Sequence, residues 1–235
     1  MKTEILGVRF DDLTQQEAAQ RGRQLLEEDK FHYVVTPNPE FLLAAEKDPE
    51  FRRVLNAADL VFLCLPDEAA REAVAMIDNP NTRVIDASTA HRTAPGWDYG
   101  FPELSPHHRA RIACSKRVAN PGCHASGFIA SVYPMVQLGL IPPDHPLCAY
   151  SLTGYSGGGK KMIAQYEAPD RPAELDSPRQ YGLSQTHKHL PEMQKLCGLK
   201  KPPVFTPIVD DYYKGMAATV PLHRSQLTGE ATLHQ

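Results

Sequence analysis

Residues 60–88, LVFLCLPDEAAREAVAMIDNPNTRVIDAS, decide the fold class. Two short apolar and β-branched runs, 60–66 and 83–88, flank an amphipathic stretch at 67–77, and the three read as strand, helix and strand. Parallel strands need a crossover of this kind, so the segment is a compact βαβ unit. Upstream, residues 38–47 (NPEFLLAAEK) and 48–58 (DPEFRRVLNAA) read as two short helices, each with Asn or Asp at the cap and Pro in the first turn. Residues 4–10 (EILGVRF) and 32–36 (HYVVT) read as strands. The helix between them opens on a Thr14–Glu17 capping box and reaches about Lys30. Downstream, residues 105–112 (SPHHRARI) form another capped helix, after which Gly, Pro and Tyr become frequent. Residues 145–156, 203–213 and 215–222 read as strands of a second sheet, antiparallel or mixed. The expected class is α/β, a Rossmann-like parallel-sheet half followed by an α+β domain.

The chain has 235 residues, 42% of them apolar, enough for a real core and for an enzyme. A formal net charge of −3 gives no broad basic field, so neither nucleic acid nor an anionic membrane is an expected partner. The longest apolar runs fall far short of a membrane span, and the N-terminus lacks the regions of a signal peptide, so a cytoplasmic location is expected. Five cysteines, odd in number and widely spread, lack the close spacing of zinc sites. Most are expected to be reduced thiols in the core, with no metal site.

Residues 117–128, RVANPGCHASGF, set Cys123 between a Pro-Gly turn and a helix marked by Phe128, Ile129 and Val132. The positive end of the helix dipole favours thiolate there, which makes a better nucleophile. A small buried residue after a tight turn fits the same position. Pro134 should kink or divide the helix. In THKHLPEM, His187 and His189 lie two apart before Pro191. On an extended segment both imidazoles point to one side, where they can serve covalent catalysis as acid and base. A solvated surface or a hydrogen-bond network is the alternative. Gly157, Gly158 and Gly159, followed by Lys160 and Lys161, let backbone donors approach an anion, although the spacing is not that of a P-loop and a flexible turn fits as well. Ser88, Thr89, His91 and Arg92 follow a strand, where open α/β sheets bind ligands. Ordinary capping by Ser88 or Thr89 is the alternative.

Taken together, LNAADLVFLCLPDEAAREAV, NPNTRVIDASTAHRTAP, YGFPELSP, SKRVANPGCHASGF, SLTGYSGGGKKMIAQYEA, HKHLPEM and GMAATVPL resemble the N-acetyl-γ-glutamyl-phosphate reductase family in its shorter bacterial form, over about residues 55–222. The resemblance implies that Cys123 attacks a small-molecule acyl phosphate, expels phosphate and forms a thioester that NADPH reduces to the semialdehyde. It assigns acid/base work to His189 and substrate contact to His187, with Arg92, Lys160 and Arg179 for anionic groups. Ser88, Gly157, Gly158 and Gly159 would contact NADP. It also implies a homo-oligomer.

Residues 1–60 depart from that family, whose opening glycine-rich turn holds a pyrophosphate. Only Gly7 lies in the relevant region, and Asp11 and Asp12 would repel phosphate. The phrases ILGVRFDDLT, HYVVTPNPEFLLAA and DPEFRRVLNAADL resemble instead bacterial N-acetylmannosaminyltransferase-type glycosyltransferases, in which Thr36 and Asn38 would belong to a sugar-nucleotide site. The expected layout is a glycosyltransferase-like segment at 1–59, the remainder of a nucleotide-binding-like domain at 60–118, and an incomplete α+β dehydrogenase-type catalytic domain at 119–235. An inactive reductase-derived fragment is the alternative function, and a sugar transferase a further one.

Overall fold

The computed structural model describes residues 4–5, 8–9 and 49–228, with side chains from Arg52 to Thr228. The sequence readings at 14–30, 32–36 and 38–47, together with Asp11, Asp12, Thr36 and Asn38, lie outside the described residues. The chain divides into two compact units, Met1–Ser88 and Thr89–Gln235.

In the first unit, β1 (Glu4–Ile5) and β2 (Val8–Arg9) pair antiparallel, Glu4 opposite Arg9 and Ile5 opposite Val8. The expected single strand at 4–10 is therefore a reversal of the chain. The βαβ unit follows as read: α1 (Pro49–Ala57), β3 (Leu60–Leu63), α2 (Asp67–Ala75) and β4 (Arg83–Asp86). Strands β3 and β4 are parallel, with Val61 opposite Val84. Burial alternates along both, Val61, Leu63 and Val84 facing the core. Ala69, Ala70 and Ala73 form the buried stripe of α2, and Asp67 and Glu68 complement the dipole at its start. Asn56 closes the unit at the end of α1. Its Nδ2 donates to Met76 O at 2.8 Å, and its Oδ1 accepts from the Asp78 and Asn79 amides at 2.7 and 2.8 Å.

The second unit starts with β5 (Asp98–Tyr99), α3 (Pro106–Cys114) and β6 (Arg117–Ala119). Ser105 caps α3 by accepting from the His108 amide at 3.2 Å, and Pro106 occupies its first turn, as the sequence required. Strands β5 and β6 are parallel, Tyr99 opposite Ala119. Next come α4 (Cys123–Gln137), β7 (Cys148–Gly154), α5 (Gly159–Tyr166), β8 (Arg179–Gln180), α6 (Leu190–Cys197), β9 (Val204–Asp210) and β10 (Met216–Thr219). The second sheet has the order β10-β7-β9-β8 and is mixed: β7 and β9 are parallel and both outer pairs antiparallel.

Helix α4 runs through Pro134 without dividing, so of the expected kink or division the division does not occur. Its Phe128, Ile129 and Val132 pack in one core with Leu190, Met193 and Cys197 of α6 and with Ala149 and Phe205 of the sheet. Gly127 lets α4 approach the sheet, because a Cβ there would lie 2.6 Å from Ala218 Cβ. The cysteines are all free, but four of the five, Cys64, Cys114, Cys123 and Cys148, are exposed and only Cys197 is buried. The expectation that most sit in the core is corrected: Cys64 follows β3, Cys148 opens β7, and Cys114 and Cys123 sit at helix ends, where their side chains face outward.

Candidate active site

Cys123 is the first helical residue of α4, following Gly122 at the cap. Gly122 and His124 are buried while Cys123 is exposed, so the thiol faces outward from a buried frame. That placement removes the reading of Cys123 as a small core residue. The helix end offers unpaired N–H groups and a positive partial charge beside the sulfur.

The frame is built around Glu192, in the first turn of α6 and 1% exposed. Its Oε2 accepts from the Gly122 amide at 3.1 Å and from Tyr99 OH at 2.7 Å, and its Oε1 lies 3.0 Å from Arg92 Nη1. Arg92 Nε in turn donates to Asn120 O at 2.9 Å. A buried carboxylate is tolerable when it is paired and hydrogen-bonded, and here it has both kinds of partner. Burial, then the Glu192 charge, raises the Tyr99 phenol well above its ordinary range, so Tyr99 remains a donor. A Cβ on Gly122 would lie 2.5 Å from both Glu192 Oε1 and His189 Nε2, which is why the carboxylate and the imidazole can close over the residue before the nucleophile.

Three imidazoles gather at this point. The ring centroids of His187 and His189 are 4.7 Å apart, and His124 lies 5.7 and 5.6 Å from them. The pair meets as expected but not on an extended segment. His189 sits in helical conformation at the cap of α6, and its amide donates to His187 Nδ1 at 3.2 Å. A turn, rather than strand alternation, brings the rings together. Gln185, with φ 56°, shapes it: its side chain bonds both backbone groups of Phe205, at 2.9 and 2.8 Å, and Phe205 packs against His187.

Burial pushes His189 down to about 2 and His124 down to about 4, with His187 the next cause for each. His187 is lowered too, by burial and then Lys188. All three are therefore neutral near pH 7. At 3.8 Å, His189 Nε2 and Glu192 Oε1 are neighbours rather than an ion pair. His189 Nδ1 is buried and has no hydrogen-bond partner among the described residues.

Cys123, His187, His189, Arg92, Gly157 and Gly158 line one cleft of about 300 Å³, joined by His124, Tyr181 and Lys188. A larger concavity of about 440 Å³ shares Arg92 with it but is lined by Trp97, Tyr133 and Arg111 and contains no nucleophile. Gly159, at φ 76°, opens α5, and Lys160 beside it is exposed; neither lines the cleft. Arg179 is also away from it, its Nη2 donating to Tyr166 OH at 3.1 Å. Ser88 belongs to the first unit, where its hydroxyl donates to Asp86 Oδ2 at 2.7 Å and its amide to Oδ1 at 2.9 Å. Sequence reasoning passed over Glu192, Tyr99, Tyr181, His124 and Lys188. A signal was present for one of them, His124: it adjoins the nucleophile, and Ser151, a polar residue at an inward position of β7, needs a partner. Among the described residues no group of His, Cys, Asp and Glu could hold a metal ion.

The mixed sheet, with a helix that starts on the cysteine beside it, is a fold shared with semialdehyde dehydrogenases. Residues 123–235 match the model of the semialdehyde dehydrogenase dimerisation domain. Solved structures agree in fold: aspartate semialdehyde dehydrogenase from Francisella tularensis superposes with a TM-score of 0.59 over 92% of this chain and 75% of its own, at 13% identity. Aspartate semialdehyde dehydrogenase II from Vibrio cholerae gives 0.54 over 71% and 56%, at 16% identity. Within that class, the particular similarity is to N-acetyl-gamma-glutamyl-phosphate reductase. The chain is 48% identical over 190 residues to N-acetyl-gamma-glutamyl-phosphate reductase 2 of Pseudomonas putida, covering 80% of this chain and 60% of the relative. It is 50% identical over 182 residues to the Chelativorans reductase, covering 77% and 58%. The chain thus spans about three-fifths of the length of these curated relatives. Residues 3–64 match a different model, the glycosyl transferase WecG/TagA/CpsF family, so both halves of the sequence resemblance are borne out.

Proposed function

We propose that the chain carries the chemistry of an acyl-phosphate reductase, converting N-acetyl-γ-glutamyl phosphate to N-acetylglutamate 5-semialdehyde. The observation that carries this reading is the exposed Cys123 at the start of α4, in one cleft with His187, His189 and Arg92. The Cys123 sulfur attacks the acyl carbon, the carbon–sulfur bond forms, and phosphate leaves with the electron pair of its carbon–oxygen bond. Neutral His189 is in the form that accepts the thiol proton, and an imidazolium formed there would have Glu192 Oε1 at 3.8 Å. His187 contacts the substrate, and Arg92 and Lys188 supply positive charge to the phosphate. Lys160 and Arg179 enter this reading only as more distant cations.

NADPH, when bound, supplies the hydride that reduces the thioester. Gly157 and Gly158 present a side-chain-free rim to the cleft, which suits a flat nicotinamide ring, and a Cβ on Gly158 would run into Met162. They would hold that end, with Gly159 as a further contact. A homo-oligomer and a cytoplasmic location belong to the same reading, the first in keeping with the dimerisation-domain match. No helix among the described residues is long and apolar enough to cross a membrane.

The test is the reverse reaction. N-acetylglutamate semialdehyde, phosphate and NADP are mixed with the chain, and reduced-cofactor absorbance is followed alongside Cys123→Ser. Absorbance growth that the serine variant abolishes is expected. A folded chain that produces none sinks the reading.

A further inference from the structure

His124 differs from the other two imidazoles in that both its nitrogens are engaged. Nδ1 is 2.8 Å from Ser151 Oγ, and Nε2 is 2.7 Å from Tyr181 OH. A neutral imidazole has one proton, so one nitrogen donates and the other accepts. Two arrangements satisfy that rule. If Nδ1–H donates to Ser151 and Tyr181 donates to Nε2, the Ser151 proton has no acceptor among the described residues, in a side chain only 1% exposed. Leaving a buried donor unmade is costly. If Ser151 donates to Nδ1 and Nε2–H donates to the Tyr181 oxygen, every buried group is satisfied and the phenol keeps its own proton for the cleft. The second arrangement is the favourable one.

Tyr181 is held for such a role. Its amide donates to Pro207 O of β9 at 3.1 Å, and its side chain lines the cleft with Cys123. Burial, then the Cys123 charge, pushes the phenol up to about 12, so it stays protonated.

We infer that Tyr181 donates a hydrogen bond to the negative charge that develops at Cys123 and at the carbonyl oxygen it attacks, while Ser151 and His124 are positioning residues that turn its proton into the cleft. The inference rests on the acyl-transfer reading. As the carbon–sulfur bond forms, the carbonyl π pair moves onto oxygen and Tyr181 O–H bonds to it. The pair returns as the bond to phosphate breaks, and no proton leaves the tyrosine. A fixed donor aimed at developing charge in a water-poor site is an effective form of transition-state stabilisation.

The test uses the full chain without cofactor and has two readouts. In ¹⁵N-labelled protein, the ring nitrogens of His124, assigned by their loss in His124→Gln, are expected to show Nε2 protonated and Nδ1 bare. Protonation at Nδ1 overturns the inference. Iodoacetamide alkylation of Cys123, followed by peptide mass spectrometry because other cysteines are exposed, is then measured against pH. Tyr181→Phe is expected to move the midpoint upward by about one unit, Ser151→Ala less far in the same direction, and Ser151→Thr to restore it. A midpoint that Tyr181→Phe leaves in place overturns the inference. Neither readout needs turnover. A chain that shows both effects yet yields no reduced cofactor in the reverse reaction refutes the reductase reading and leaves the donor standing.

Discussion

Gly122 is a glycine for reasons of space rather than torsion. Its φ of −72° and ψ of 143° suit any residue, yet a Cβ would meet Glu192 Oε1 and His189 Nε2 at 2.5 Å and Arg92 Nη1 at 2.6 Å. Gly122→Ala is expected to destabilise the chain by about 1–3 kcal/mol, the range for overpacking, and to slow Cys123 alkylation. Urea midpoints and alkylation rates check the two effects. Glu192→Ala should cost more, about 3–5 kcal/mol, because it removes the carboxylate paired with Arg92, whose side chain is only 9% exposed. Glu192→Gln, which retains an acceptor for Gly122 or Tyr99, should lose less by the same unfolding measurement. In the sequence, Cys123 and the histidine pair were legible because nucleophile and imidazole types stand out at a helix start and beside Pro191. Glu192 was not. An acidic residue in a first helical turn is ordinary dipole chemistry, and only the fold shows that this one turns inward.

Among the elements, α4 shows what periodicity can and cannot resolve. Phe128, Ile129 and Val132 gave away its buried face, while Pro134 pointed to a kink or a division, and the helix does not divide there. The proline is exposed, and the Leu138 amide still reaches Pro134 O at 2.9 Å, so the helix tolerates the missing donor near its end. Pro134→Ala is expected to stabilise by about 2 kcal/mol: an interior proline costs about 3, less the roughly 1 by which it stiffens the unfolded chain. Thermal or urea unfolding would show it. Strands β3, β4, β7, β9 and β10 could be read from alternation and β-branching. The two-residue strands β5 and β8 could not, being too short to carry a period. They exist because β6 and β9 offer edges, and β5 brings Tyr99 to Glu192. The turn that gathers His187 and His189 was illegible for a similar reason: it depends on Gln185 imitating a strand partner of Phe205.

For the molecule as a whole, the neutral imidazoles couple stability to pH. His124 and His189 ionise in the folded state near 4 and 2, below the ordinary value of 6.5, so the unfolded chain binds more protons between those limits. Their contribution is fully present above about pH 6.5 and is lost as pH falls towards the folded values. Urea midpoints at pH 7.5, 6 and 5 should decline in that order, and His124→Gln should flatten the decline; a midpoint that rises on acidification would contradict the burial of these rings. The two-family make-up of the sequence was legible at this scale too, because ordered motifs survive where a local period does not. One consequence of the Glu192 frame concerns biosynthesis. Ribosomes deliver the chain N-terminus first, and Gly122 precedes the carboxylate that holds its amide by 70 residues. A nascent or stalled chain that ends before Glu192 therefore lacks the carboxylate that holds the Gly122 amide, so the frame beside Cys123 closes only after translation has passed that codon and α6 has docked.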